Sequence, residues 1–439
     1  MLQVSGRLVL ARFFAAGLTL LLQIVLARWV GAEELGIYVI VTSLAAVLAI
    51  FATMGFDAIT GRFVARYRVK ECHDLLAGFR ISSLRHLLGA SVALSGGFIV
   101  VILFLPKLVP TDLRTSFILG VIAAPIIGLM RINGAFANVS RCFQTGFLPD
   151  ILMRPSLQLS LFVVLAWSFA ESSVQIALYA FILAAILAAL AQAALIKRWG
   201  ILPDDGCTPV FETKLWRGAG LTMMVAAVLV NQIAEIDVLL LSGLLGHDQI
   251  AVFNVCFRLV AFVSFGIYAV YQTMLPDLSE AYARANWPEV QLVISRANFI
   301  CVCGALIALI GLFVVGQFIL GLFGNSFLAG YASLILLGCA QTFVAGVGPG
   351  AQLLMIAGFQ NRCMIAYGTG LGCTVALNFL LVPSLGLEGA IYALVTGMVT
   401  SSLLLWYFAR RHLELDVSIC SPVRQYTSLA LSSAKARFG

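Results

Sequence analysis

Charged and amide side chains set inside apolar runs are where this chain can do chemistry. Residues 231–237 read NQIAEID, which puts Asn231, Gln232, Glu235 and Asp237 in an otherwise apolar stretch, and Arg258 lies in the next one. On one continuous helix Asn231 and Glu235 share a face, whereas Glu235 and Asp237 do not. An ionisable group at mid-membrane costs about 2.5–3.5 kcal/mol on insertion scales, so such groups are kept where they face a cavity or a partner. At ~1.5 Å per residue from the neighbouring turn, Asp237 and Arg258 reach similar depths. Two readings are open: a structural ion pair, or a buried site for a coupling ion (H+ or Na+) or a polar headgroup.

A second set is cationic. Arg12 enters the first apolar run, Arg62 follows the second and Arg131 closes the fourth. Facing a common cleft, they form a vestibule fitted to phosphate, which guanidinium binds bidentately. The alternative is that each snorkels to the membrane surface. A third feature is GVGPG at 346–350. Gly346 and Gly350 permit close helix contact, and Pro349 removes a backbone donor and kinks a helix, so a hinge is expected there.

Other chemistry has little to stand on. The sequence has 4 His, 20 Asp+Glu and 10 Cys, and its only close Cys pair is Cys301-x-Cys303, which a helix would point apart. There is no Gly-Lys-Ser/Thr phosphate loop and no Ser-His-Asp order. PDDG at 203–206 reads as a turn. No enzyme activity, no metal and no resident cofactor are expected.

The elements that hold these residues are membrane helices. Of the 439 residues 61% are hydrophobic and 11% charged, with a mean hydropathy of +1.02. A soluble domain carries about 25% charged residues, so this chain cannot cover itself with a wetted surface. Twelve runs approach the ~20 apolar residues a crossing needs: near 8–29, 35–57, 84–105, 115–136, 151–170, 173–196, 217–243, 249–275, 297–320, 330–357, 363–382 and 388–409. With the N-terminus inside, the inner segments hold 23 of the 27 Lys+Arg and the outer turns 3. Cytoplasmic segments collect cations, so both termini are expected in the cytoplasm. The net charge of +7 belongs to this asymmetry and gives no reason to expect nucleic acid. Inner connections 58–86 and 276–296 mix apolar and basic residues, as interfacial anchors on anionic lipid do.

The chain is also written twice. ARWVGAEELGIYVI (27–40) returns as SGLLGHDQIAVFNV (242–255), with Gly31 on Gly246, Glu33 on Asp248 and Tyr38 on Phe253. The same offset puts Tyr67 on Tyr282; later ALYAF (177–181) meets AIYAL (390–394). The expectation is an all-α polytopic protein of two six-helix pseudo-symmetric lobes, residues 1–198 and 217–411. A cytoplasmic linker (199–216) joins them and a cytoplasmic tail (412–439) follows. Two parallel repeats with a path between them is a transporter plan.

The ordered motifs LARWVGAEELGIY, GFDAITGRFVARY, EIDVLLLSGLLGHDQIAVFNVCFRL, MLPDLSEAYA, GLFGNSF, LLMIAGFQNR and VPSLGLEGAIYAL resemble polysaccharide-type (O-antigen) flippases of the multidrug/oligosaccharidyl-lipid/polysaccharide exporter superfamily. The resemblance covers about 8–411. It implies alternating access and movement of a polyprenyl-diphosphate-linked oligosaccharide from the cytoplasmic to the outer leaflet of a bacterial inner membrane, in polysaccharide or lipopolysaccharide biosynthesis. The implied partners are that lipid-linked glycan, membrane lipid and glycan-synthesis proteins. Rival readings are a multidrug/cation antiporter of the same superfamily, which would want acidic cleft residues, and a membrane-embedded glycan polymerase or ligase. The second turn departs from the family pattern at Ala251 and Phe253.

Overall fold

The computed structural model describes residues 2–104, 113–169, 172–201, 208–231, 233–413 and 415–418, without the side chains of 2–12, 102–103, 143, 230–231 and 233. Every regular element among them is helical. The helices are α1 (Leu2–Thr53), α2 (Phe56–Val69), α3 (His73–Phe104), α4 (Arg114–Val139), α5 (Phe143–Leu148), α6 (Arg154–Phe169), α7 (Val174–Arg198), α8 (Thr213–Asn231), α9 (Ile233–Leu241), α10 (His247–Ala283), α11 (Trp287–Phe323), α12 (Tyr331–Val347), α13 (Gly350–Ile356), α14 (Gln360–Leu385) and α15 (Leu387–Leu413). Within described residues, ten helical segments are long and apolar enough to cross a bilayer, or eleven with α8 and α9 taken as one broken span. The first, Phe13–Thr53, has 41 residues, about 60 Å and twice the hydrocarbon thickness. Non-helical Gly31 (φ 87, ψ 173) breaks it, so it supplies two crossings and the twelve expected are all accounted for.

Exposure follows lipid logic. On α11 Ile307, Ile310, Phe313, Val314 and Phe318 are 63–74% exposed. A helix apolar on every side with its large side chains uncovered is at rest only in hydrocarbon.

Packing divides the chain after Ala251 into two compact units. The first therefore takes α8 and α9 with α1–α7, a division by contact that differs from the repeat boundary at 199–216. Its aromatic core gathers around Phe79, whose ring lies 5.3 Å from Trp216, 5.6 Å from Phe56 and 6.0 Å from both Phe63 and Phe136. The two copies of the repeated turn meet inside this unit. A Cβ on Gly36 would lie 1.8 Å from the His247 carbonyl oxygen, so the approach requires glycine. The turn of residues 30–34 is also tied by Glu34, whose Oε2 accepts from Val174 N at the start of α7 (2.7 Å), an anion at a helix N-terminus.

The second unit packs Ile267, Tyr271, Leu278, Val290, Ile294, Leu353, Leu354 and Val417 into one core. The tenth span is interrupted between α12 and α13, and the residue with the left-handed backbone is Gly348 (φ 97), just before Pro349. Residues 415–418 fill the break. Gly348 abuts the Val417 carbonyl, which also accepts from Asn298 Nδ2. Gln291 Nε2 donates to the Asp416 carbonyl at 2.8 Å.

The halves share one further turn. Glu71 N donates to Arg68 O and Cys72 N to Tyr67 O, and Ala285 N to Tyr282 O and Asn286 N to Ala281 O. Glu71 and Ala285 have φ 53 and 52. The backbone register here sets Arg68, not Tyr67, on Tyr282: one residue off the match made by side-chain identity.

Candidate functional site

α2, α3 and α4 place a set of cations at one end of the first unit. α2 starts at the turn Met54–Gly55, whose residues have φ 49 and 75. Its first turn carries Asp57, which accepts from Thr53 Oγ1 (2.9 Å) and pairs with Arg131 Nε on α4 (3.3 Å). Both partners are partly covered. Arg131 is thus committed to a carboxylate within its own unit. Arg62 stands on the exposed face of α2, its guanidinium carbon 5.9 Å from the Phe63 ring centre. The structure does not bring Arg62 and Arg131 together, because an amphipathic α2 turns positions 57 and 62 to different sides. Arg12 lies in α1 and its side chain is outside the described residues.

Two other cations take the place expected of Arg62. Arg80, on the first turns of α3, reaches α4. Its Nη2 donates to Asn133 Oδ1 (2.7 Å), its guanidinium sits 5.1 Å from the Phe136 ring centre, and its Nη1 is buried with no hydrogen-bond partner among the described residues. Arg85, one and a half turns on, is exposed and lines an open cavity of about 350 Å³ with Met54, His86, Gly89 and Ala90. His86 Nδ1 faces the Ser82 carbonyl at 2.7 Å and so carries a proton, leaving Nε2 as the variable nitrogen. Its ring stacks on Phe56 at 4.9 Å. An unpaired N–H inside the protein is costly, and the exposed Arg85 at an open concavity is a place for an anion. Local sequence gives little warning of Arg80: it stands in a basic and apolar mixture, and its partner is 53 residues away.

The linker closes this end. Val210 N donates to Asp74 O (3.1 Å) and Arg68 Nη2 to Ile201 O (2.9 Å). Tyr67 OH donates to Glu212 Oε2 (3.0 Å) and accepts from the fully buried Trp216 Nε1 (2.8 Å). Phe211 lies 5.4 Å from the Arg85 guanidinium. Burial raises the Tyr67 hydroxyl pKa, against the Trp216 hydrogen bond and helped by Glu212.

The acidic set is divided. α8 ends at Asn231 and α9 begins at Ile233, and the axes of 213–229 and 234–241 differ by 70°. A shared face for Asn231 and Glu235 requires one continuous helix, so that expectation does not carry over. Asp237 is fully buried and Glu235 half-buried, both in the first unit; Arg258 is half-buried in the second. Gln232 and the side chain of Asn231 lie outside the described residues. Gly346 falls in the last turn of α12, Pro349 after the break and Gly350 at the start of α13.

Comparison with known proteins agrees with this architecture. A multidrug resistance MATE family transporter of the MOP superfamily, inward-facing, is 14% identical over 92% of this chain and 94% of its own, with a TM-score of 0.71. The lipid II flippase MurJ, inward closed, is 16% identical over 91% of this chain and 87% of its own, with a TM-score of 0.67. At such identities the likeness is one of fold. No curated protein matches in sequence. Residues 2–282 match the family described as "Polysaccharide biosynthesis protein". With that match over more than half its length, the chain belongs to the polysaccharide biosynthesis protein family.

Proposed function

We propose that the protein is a flippase that carries a polyprenyl-diphosphate-linked oligosaccharide from the cytoplasmic to the outer leaflet of a bacterial inner membrane, in O-antigen or related lipopolysaccharide synthesis. Both termini are cytoplasmic, lobes 1–198 and 217–411 alternate access, and the break at Gly346–Gly350 serves as a hinge. The observation that carries the reading is the cationic concavity. Arg85 and His86 line it, and no carboxylate is among its described lining residues. A diphosphate suits such a wall; the organic cations of an antiporter do not. Glycan-synthesis proteins supply the substrate and consume the product. Glu235 and Asp237 are the groups through which H+ or Na+ would couple.

The test is transport by the purified full chain in vesicles. A fluorescent lipid-linked oligosaccharide diphosphate should become accessible to an external glycosidase, and a lipophilic cation should not be exchanged. Cation exchange without glycan flipping would overturn the reading in favour of the antiporter. Glycan joining by the purified protein would favour the polymerase or ligase.

A further inference from the structure

The exposed face of α2 carries Arg62, Arg66 and Lys70, four residues apart, with Ala65 and an 86% exposed Val69 between them. Spacing of four keeps side chains on one side of a helix. The opposite side is built into the core through Phe56, Ile59, Phe63, Val64 and Tyr67. Asp57, the only acid of α2, is turned away and held by Arg131. None of the three cations has a salt-bridge partner among the described residues.

The repeat shows that the stripe is not a demand of the fold. In the backbone register of the shared turn, Arg62, Arg66 and Lys70 correspond to Pro276, Glu280 and Arg284. Glu280 and Arg284 neutralise each other in an i,i+4 pair. The same helix end therefore forms without a cationic face, and only the first copy keeps one.

We propose that this face of α2 is a docking surface for anionic phospholipid of the cytoplasmic leaflet. α2 joins one membrane span to the next and, at 14 residues, is too short to cross by itself, which sets it at a membrane surface. The Lys/Arg distribution makes that surface the inner one. Each cation at an anionic leaflet contributes attraction over about a Debye length, and Val69 offers the apolar contact that a headgroup-level helix uses. The surface does not depend on which substrate the protein carries.

The experiment uses the full-length protein in neutral detergent. Its unfolding midpoint is followed while phosphatidylglycerol, phosphatidylcholine or pyrophosphate is added. Phosphatidylglycerol should raise the midpoint and phosphatidylcholine should not. In the R62Q/R66Q/K70Q variant at least half of that rise should be lost, with the midpoint in phosphatidylcholine unchanged. R62K/R66K should recover it, because a leaflet reads charge and not guanidinium geometry. Equal responses in wild type and triple variant would overturn the proposal. So would a response to pyrophosphate matching that to phosphatidylglycerol, which would make the face a phosphate site for substrate. Should the triple variant unfold, R66Q/K70Q and the Lys-for-Arg variant still decide the matter.

Discussion

Arg131 and Asp57 hold one another across the contact of α2 with α4, Nε to Oδ2 at 3.3 Å, and the other carboxylate oxygen is occupied by Thr53. The pair ties the turn at Met54–Gly55 to the fourth span. Exposed pairs contribute ~0–1 kcal/mol and breaking a buried one costs ~3–5 kcal/mol; this one, partly covered, should lie between. D57A and R131A should each destabilise by about 1–2 kcal/mol and the double variant by less than their sum. A double-mutant cycle on unfolding in detergent measures the coupling; additivity would mean the two residues act separately.

Arg85 and His86 are the side chains through which the concavity meets an anion. R85Q should lower flipping of a diphosphate-linked lipid roughly tenfold, the effect of losing a charge-assisted hydrogen bond of ~1.5 kcal/mol. H86Q should have a smaller effect, because an amide side chain still offers the anion one hydrogen-bond donor. Vesicle flipping rates of the two variants beside wild type give the order. Wild-type rates in both variants would remove the concavity from the transport path.

Tyr67 stands between the linker and the aromatic core, receiving a proton from Trp216 and giving one to Glu212. Y67F leaves the buried indole N–H without its acceptor and should cost about 1–3 kcal/mol. W216F removes that donor while leaving the Glu212 bond, and should lose chiefly packing. Proteolysis of residues 208–216 should accelerate in Y67F; unchanged cleavage would show that the linker is held by other contacts.

Gly36 and its counterpart Ala251 make an asymmetric pair. G36A drives a methyl into the His247 carbonyl and should cost about 1–3 kcal/mol, the usual range for overpacking. A251G removes a buried methyl from α10 and should cost about 1 kcal/mol. Thermal unfolding of the two variants gives the order; a tolerated G36A would mean that the two turns move apart freely.

Asp416 fastens the end of the chain. Burial pushes its carboxyl up, and hydrogen bonds from Ser418 and Trp406 with the Arg410 charge more than offset it, so it titrates below the ordinary carboxylate value. Its contribution is complete above the unfolded value of about 3.9 and is lost as pH falls through the lower folded one. D416N should be less stable than wild type near neutrality, and the gap should close on the acid side of pH 4. A gap of constant size from pH 5 to 3 would rule out that linkage.

The crossings were legible, because run length and apolarity are properties of neighbouring residues. Pro349 pointed to the break in the tenth span, although a glycine beside it takes the turn. Arg80 and the linker contacts were not legible. Arg80 finds Asn133 across another helix, and Tyr67 meets Trp216 from 149 residues away. Arg62 and Arg131 were grouped by charge alone, and the faces of α2 and α4 separate them. The bend between α8 and α9 carries no proline or glycine to announce it.

The seam at Gly348 has a consequence for biosynthesis. Val417, which seals it, is synthesised 69 residues later, so α12 and α13 enter the membrane with that notch open. The C-terminal unit can reach its finished packing only when residues 415–418 have left the ribosome. Until then Asn298 and Gln291 lack the Val417 and Asp416 carbonyls they bond in the folded chain, and a ribosome stalled before codon 415 would hold a bundle that is inserted but unlocked.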